Sequence, residues 1–195
     1  MKREAKIKRK TNETEIDLSL AIDGQGESHI ETGIGFFDHM LTLFSKHGLF
    51  DLDLRVKGDL EIDAHHSVED TGLCLGKAFH DALGDCAGIR RFASVLMPMD
   101  DALTQLVIDI SNRPYLAFDV EFNASKVGDF DVELMQEFFQ AFVNNARINL
   151  HIKLLAGQNQ HHVIESGFKA LGLCLDQATG IDPRKKGVPS TKGIL

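Results

Sequence analysis

Two copies of one short pattern, His65-His66-x-x-Glu69 and His161-His162-x-x-Glu165, lie 96 residues apart, almost half the length of the 195-residue chain. Imidazoles and carboxylates grouped in this way are ligands for a borderline divalent ion such as manganese, iron or zinc. On a helix that advances about 100° per residue, setting His65 at zero puts His66 at about 100° and Glu69 at about 40°. The carboxylate lies between two imidazoles that diverge too far to chelate one ion together. Two separate metal sites are expected, each completed by ligands from elsewhere. If the halves or the subunits pack with twofold symmetry, one imidazole from each copy can meet at each ion. The order also differs from HExxH, in which Glu is the general base of a zinc protease, because here the carboxylate follows both histidines. A single His-His pair at a helix start is most often structural. Duplication at a matched offset argues for shared chemistry.

The elements that carry these residues repeat with them. The same offset pairs Val68 with Ile164, Leu75 with Leu171, Gly76 with Gly172, Phe79 with Leu175, Ala82 with Ala178 and Gly84 with Gly180, and upstream Asp63 with Asn159. Asp63 and Asn159 read as helix N-caps, and Gly84 and Gly180 as left-handed C-terminal stops. The chain thus divides into two repeats, 1–91 and 92–195, and with no linker between them they are expected to form one compact unit. In the first repeat, periodicity predicts strands over 15–23 and 49–56 and a helix over 37–47, followed by the first HHxxE helix. In the second it predicts strands over 92–97, 104–110, 115–122 and 148–155, a helix over 131–145, and the second HHxxE helix. Interleaved strands and helices with hairpin-length connections give the α+β class.

Composition narrows the functions available. With 43% hydrophobic and 26% charged residues the chain has the balance of a globular protein, and a net charge of −8 offers no general footprint for nucleic acid or an anionic membrane. Its apolar runs are far short of the roughly 20 residues of a membrane helix. The opening MKREAKIKRK lacks the apolar segment of a secretory signal. Cys74, Cys86 and Cys174 are odd in number and lack CxxC spacing, which points to reduced thiols and a cytoplasmic location. Gly33-x-Gly35 completes no phosphate loop and reads as a turn. Arg90-Arg91 and Arg113 could clamp a phosphate bidentately, and Ser190, Thr191 and Lys192 offer two hydroxyls and an ammonium to an oxyanion. Glu13 and His47 carry no local signal.

The segments GIGFFDHML (33–41), DAHHSVEDTG (63–72), RPY (113–115), HHVIESGFKALG (161–172) and PSTKG (189–193) resemble, in order and over nearly the whole chain, the imidazoleglycerol-phosphate dehydratase family of histidine biosynthesis. The resemblance implies an internally duplicated fold, each half carrying a four-stranded sheet and two helices, with the helices packed between the sheets as in the second domain of a small-subunit ribosomal protein. It also implies a homo-oligomeric shell of 24 subunits built from trimers, and two manganese ions per subunit bound between subunits. The metal ligands so implied are His39, His65, His66, Glu69, His161, His162 and Glu165, with Glu137 at a position that is histidine in many members. Glu13, His39, His47, His65, His66, His162 and Lys169 would line the substrate site, and Arg91, Arg113, Ser190 and Lys192 its phosphate end.

The implied reaction removes water from imidazole glycerol phosphate to give imidazole acetol phosphate. Its difficulty is that the departing proton sits on a carbon beside a neutral imidazole ring, and cations on both ring nitrogens would let the ring release its N–H proton and accommodate charge as the hydroxyl leaves. Glu13, His47 and Glu165 are the candidates for proton transfer. The same ligands would also serve a divalent-metal hydrolase, recognised by phosphate or amide hydrolysis, or a non-enzymatic metal-binding cage protein. The cage would have no use for the arginines and the Ser-Thr-Lys set.

Overall fold

Alternation of apolar and polar residues builds the inner face of each sheet: Ile16, Leu18 and Leu20 of one strand, and Thr104, Leu106 and Ile108 of another, are all buried. The computed structural model describes residues 2–195. The first half comprises β1 (Glu4–Lys10), β2 (Thr14–Ala21), β3 (Ser28–Glu31), α1 (Gly35–Gly48), β4 (Asp51–Gly58) and α2 (His65–Leu83). The second comprises β5 (Phe92–Met99), β6 (Ala102–Asp109), β7 (Tyr115–Asp119), a short hairpin of β8 (Lys126–Val127) and β9 (Phe130–Asp131), α3 (Leu134–Ala146), β10 (Asn149–Ala156) and α4 (Gln160–Thr179). The sheets have the orders β1-β2-β4-β3 and β5-β6-β10-β7. In each, one edge strand, β3 or β7, runs parallel to its neighbour and the other pairings are antiparallel. This is the expected α+β duplication.

The repeat offset is not uniform. Ile7 pairs with Leu18 across β1–β2, and Val95 with Leu106 across β5–β6, an offset of 88. Leu18 in turn pairs with Leu54, and Leu106 with Ile152, so β10 follows β4 by 98. The β8–β9 hairpin lies in the inserted stretch, and the gapless offset of 96 belongs only to the HHxxE helices and their flanks.

Local differences from expectation have simple causes. Strand β1 went unpredicted because only Ile7 among its inward residues is strongly apolar, and β3 because it has four residues. Leu49 caps α1 in a left-handed conformation (φ 55°) instead of opening a strand. Strand β7 stops at Asp119, and Asp131 belongs to β9, so α3 starts later than predicted. Asn159 caps α4, its Oδ1 accepting from the amide of His161 (3.0 Å), whereas Ala64 takes the cap position of α2 and Asp63, one residue earlier, accepts through Oδ1 from the amide of His65 (2.7 Å). Neither glycine is a left-handed stop: Gly84 has φ 57° but ψ −121°, outside the left-handed helical region, and Gly180 has φ −55°.

The four helices lie between the sheets, α2 on the first sheet and α4 on the second, with α2 along α3 and α1 along α4. Both helix pairs therefore join residues of different halves. They approach closely because glycine permits it: a Cβ on Gly76 would collide with the Phe142 carbonyl, and one on Gly172 with the Phe44 carbonyl. Phe37, Phe44, Phe79, Phe138, Phe142 and Phe168 fill the interior around these crossings. Among the described residues, no helix is long and apolar enough to cross a membrane.

Candidate metal centre

Asp38, in the first turn of α1, accepts hydrogen bonds from the amide (2.9 Å) and hydroxyl (2.5 Å) of Thr32, which latches the exit of β3 to the helix. The next residue, His39, reaches α4. Its Nε2 lies 3.6 Å from Glu165 Oε2, and His161 Nε2 lies 3.2 Å from the same oxygen. Ligand atoms of His39, His161 and Glu165 all lie within 4.8 Å of one another. Donors that sit about 2.0–2.4 Å from an ion are at most about 4.8 Å apart, so the group is compact enough for one divalent cation. Two imidazoles and a carboxylate are donors that suit manganese, iron or zinc. Phe36 stands edge-on to His161 at 5.2 Å, and Phe130 of the inserted hairpin packs on Phe36 at 5.2 Å, walling one side of the group.

Glu165 is almost fully buried, at 6% exposure. Burial pushes its carboxyl up, but the Lys169 ammonium, together with His39 and His161, holds it below the usual carboxylate range. Lys169 Nζ is 3.3 Å from Glu165 Oε1. His47, in the last turn of α1, is held below the usual histidine value first by burial and then by the charge of Lys169.

On α2, His65 Nε2 lies 3.6 Å from Glu69 Oε2. The helix beside it is α3, and two features set its correspondence with α1. The left-handed C-caps are Leu49 (φ 55°) and Arg147 (φ 57°), and the carbonyls that meet Gly172 and Gly76 are those of Phe44 and Phe142. Both give an offset of 98, which makes Glu137 the counterpart of His39. Glu137 thus stands where His39 does in the other half, but among the described residues the only compact ligand group is that of His39, His161 and Glu165, and His65, Glu69 and Glu137 do not form a second.

The two rings of each doublet diverge as expected, with centroids 6.2 Å apart and planes at 85° for His65 and His66, and 6.1 Å and 76° for His161 and His162. His66 Nδ1 is 3.0 Å from Asp59 Oδ2, and its Nε2 is 3.9 Å from Glu13 Oε1. His162 Nδ1 is 2.6 Å from Asp101 Oδ1, and its Nε2 is 3.5 Å from Asp100 Oδ2. The Asp59 hydrogen bond raises the pKa of His66. Between described histidines, ring contacts link His39 to His161 and the members of each doublet, so the two doublets do not meet within one chain. Asp59, Asp100 and Asp101 were missed from sequence because each lies in a turn, outside any periodic pattern.

The basic residues gather elsewhere. The Arg91 guanidinium bonds Asp109 through Nε (2.7 Å) and the Pro189 carbonyl through Nη1 (2.9 Å). Arg113 is exposed, its Nη1 donating to the Ser111 carbonyl at 3.0 Å. Asn112 holds the Leu195 carbonyl at 3.0 Å, so the tail bearing Ser190 and Lys192 is pinned beside both arginines. This end is remote from the His39–His161–Glu165 group. The Arg91 amide donates to Ala178 at the C-terminal end of α4 (2.8 Å), 13 residues beyond Glu165. At a rise of 1.5 Å per residue that is roughly 20 Å.

A family model described as imidazoleglycerol-phosphate dehydratase matches residues 32–175. The chain belongs to the imidazoleglycerol-phosphate dehydratase family. Imidazoleglycerol-phosphate dehydratases of Geobacillus kaustophilus and Pelobacter propionicus are each 58% identical to it over 195 residues, all of both chains. The crystal structure of the Staphylococcus aureus enzyme aligns with TM-score 0.84 at 40% identity, covering 92% of this chain and 99% of that one. The Pyrococcus furiosus enzyme aligns with TM-score 0.84 at 38% identity, covering 97% and 100%. The matched dehydratase segment takes in His39, both doublets, Glu69, Glu137, Glu165, Lys169, Arg91 and Arg113, while Glu13, Ser190 and Lys192 lie in the flanks.

Proposed function

We propose that the chain is a metal-dependent lyase that removes water from imidazole glycerol phosphate to give imidazole acetol phosphate in histidine biosynthesis. The observation that carries this is the His39–His161–Glu165 group in a chain of this family. Two manganese ions per subunit would be held by His39, His161 and Glu165 and by His65, Glu69 and Glu137, with His66 and His162, whose rings diverge from their neighbours, ligating ions shared with adjoining subunits. Bound ions would supply electron withdrawal that makes the ring N–H acidic, as they lower the pKa of coordinated water from about 15.7 to about 7.

Both oxygens of Glu165 already face His39, His161 and Lys169, which favours a ligand role and leaves Glu13, exposed beside His66, to take the carbon proton. His47 would supply, in its imidazolium form, the proton with which the hydroxyl departs as water, balanced by the one that Glu13 takes from carbon, and its pKa, lowered by burial and by Lys169, makes that proton easier to give up. Arg91, Arg113, Ser190 and Lys192 would fix the phosphate and so orient the ring.

Distance supports a site shared between chains. A five-membered ring, three carbons and a phosphate, with bonds of about 1.5 Å, extend about 8–9 Å. The roughly 20 Å between Glu165 and the Arg91 end is too far for one molecule to bridge within a subunit. The sheet faces support assembly as well. The outer face of the first sheet carries Lys6, Lys8, Asp17, Asp53 and Arg55, whereas that of the second exposes Phe92 (57%), Leu96 (59%) and Tyr115 (58%), an apolar surface suited to burial against copies of the chain. We read residues 1–91 and 92–195 as two repeats of one compact unit and the assembly as a 24-subunit shell built from trimers. Its three free cysteines, two of them buried, fit a cytoplasmic enzyme.

Mixing tests the shared site. With manganese and imidazole glycerol phosphate, His162→Ala chains alone are expected to be inactive and Arg113→Ala chains alone to keep at most about a tenth of wild-type kcat/KM, while an equal co-assembly should recover about a quarter of wild-type sites. Failure of the wild type to dehydrate this substrate would remove the proposed activity; failure of the mixture alone would remove the shared site.

A further inference from the structure

We infer that Asp59 and Asp101 are positioning residues, each accepting a hydrogen bond from the Nδ1–H of a doublet histidine and thereby leaving Nε2 free to bind a cation. Neutral imidazole carries one proton on either nitrogen, and a carboxylate at Nδ1 selects the tautomer with its lone pair on Nε2. The contacts are His66 Nδ1 to Asp59 Oδ2 at 3.0 Å and His162 Nδ1 to Asp101 Oδ1 at 2.6 Å. Asp101 is itself held, its Oδ2 accepting from the amides of Gln158 (2.7 Å) and Asn159 (3.1 Å). The Asp59 side chain is only 15% exposed.

The two carboxylates are not copies of each other. At the offset of 88 that relates β1–β2 to β5–β6, Asp101 corresponds to Glu13, and at the offset of 98 that relates β4 to β10, Asp59 corresponds to Gly157. A contact that merely survived duplication would use one position twice. Here the contact recurs while the position changes, from the β4–α2 connection in one half to the β5–β6 turn in the other. What is common to both is the demand on the imidazole.

The inference rests on the reading of His66 and His162 as metal ligands. Asp59→Asn and Asp101→Asn separate positioning from folding. In Asp101→Asn the side-chain amide oxygen can still accept from the 158–159 amides, while its NH2 group requires an acceptor at Nδ1 and drives the ring proton to Nε2. Two-bond 1H–15N spectra of metal-free, 15N-histidine-labelled protein, recorded at a pH well above the raised pKa of His66 so that the rings are neutral and with signals assigned through His66→Gln and His162→Gln, should show Nδ1–H in the wild type and Nε2–H in the matching variant. Manganese affinity, from the EPR signal of free Mn2+, should fall about 10–100-fold in each. Wild-type rings protonated at Nε2, or affinities within twofold of wild type in both variants, would overturn the inference. Correct tautomers in a wild type that takes up no manganese would instead overturn the metal assignment, and with it the purpose given to the tautomers.

Discussion

His39 of the first half and Glu165 of the second face each other across the α1–α4 contact, with Nε2 and Oε2 3.6 Å apart. This group exists only when both halves have docked, and its loss should be local. Glu165→Gln is expected to lower manganese content from about two ions per chain to about one, and turnover at least about 100-fold. Glu69→Gln should do the same through the other group. Metal analysis of purified variants with both ions retained would contradict the assignment.

Arg113→Ala removes a charge from the opposite end of the molecule. A hydrogen bond to a charged partner contributes about 1.5–3 kcal/mol, so kcat/KM should fall roughly 10–150-fold with manganese content unchanged. Steady-state kinetics beside metal analysis checks this. A parallel loss of metal would count against a phosphate role.

Gly172→Ala pits two effects against each other. Alanine gains up to about 1 kcal/mol of helix propensity, but its Cβ would drive into the Phe44 carbonyl, a backbone atom that cannot turn away. Overpacking should win, with net destabilisation of about 1–3 kcal/mol and a lower urea midpoint. An unchanged or higher midpoint would show that α1 and α4 can separate freely.

Asp51 carries an acid-sensitive contact. Its Oδ1 accepts from the amides of Gln25 (2.8 Å) and Glu27 (3.0 Å), and these bonds, Gln25 first, hold its carboxyl below the usual value despite slight burial. The folded pKa is thus lower than the unfolded value of about 3.9, so the stabilisation is present above about pH 4 and is lost as pH falls through the folded value. Denaturant midpoints between pH 5 and pH 2 should decline less steeply in Asp51→Asn than in wild type. Parallel slopes would exclude the contribution.

The doublets were legible in the sequence because the same residue types recur at a fixed offset, and their divergence followed from helical geometry alone. His39 entered only through family resemblance, and its partnership with Glu165 left no trace in the sequence, since tertiary packing joins residues far apart in the chain. Asp59 and Asp101 stayed hidden for a related reason: turns have no period, and a solitary aspartate in one is indistinguishable from a solvated residue. The shift in repeat offset was obscured because alternating strands tolerate many sequences, whereas the HHxxE helices preserve their register residue by residue.

Three residues separate β3 from α1, which leaves no room in the first half for a counterpart of the β8–β9 hairpin. The Phe36–Phe130 wall beside His161 therefore has no equivalent in the first half, and in the proposed two-metal site one ion would sit in a covered cradle and the other in a bare one. A chelator added to the loaded protein would strip them in sequence, emptying the uncovered cradle first.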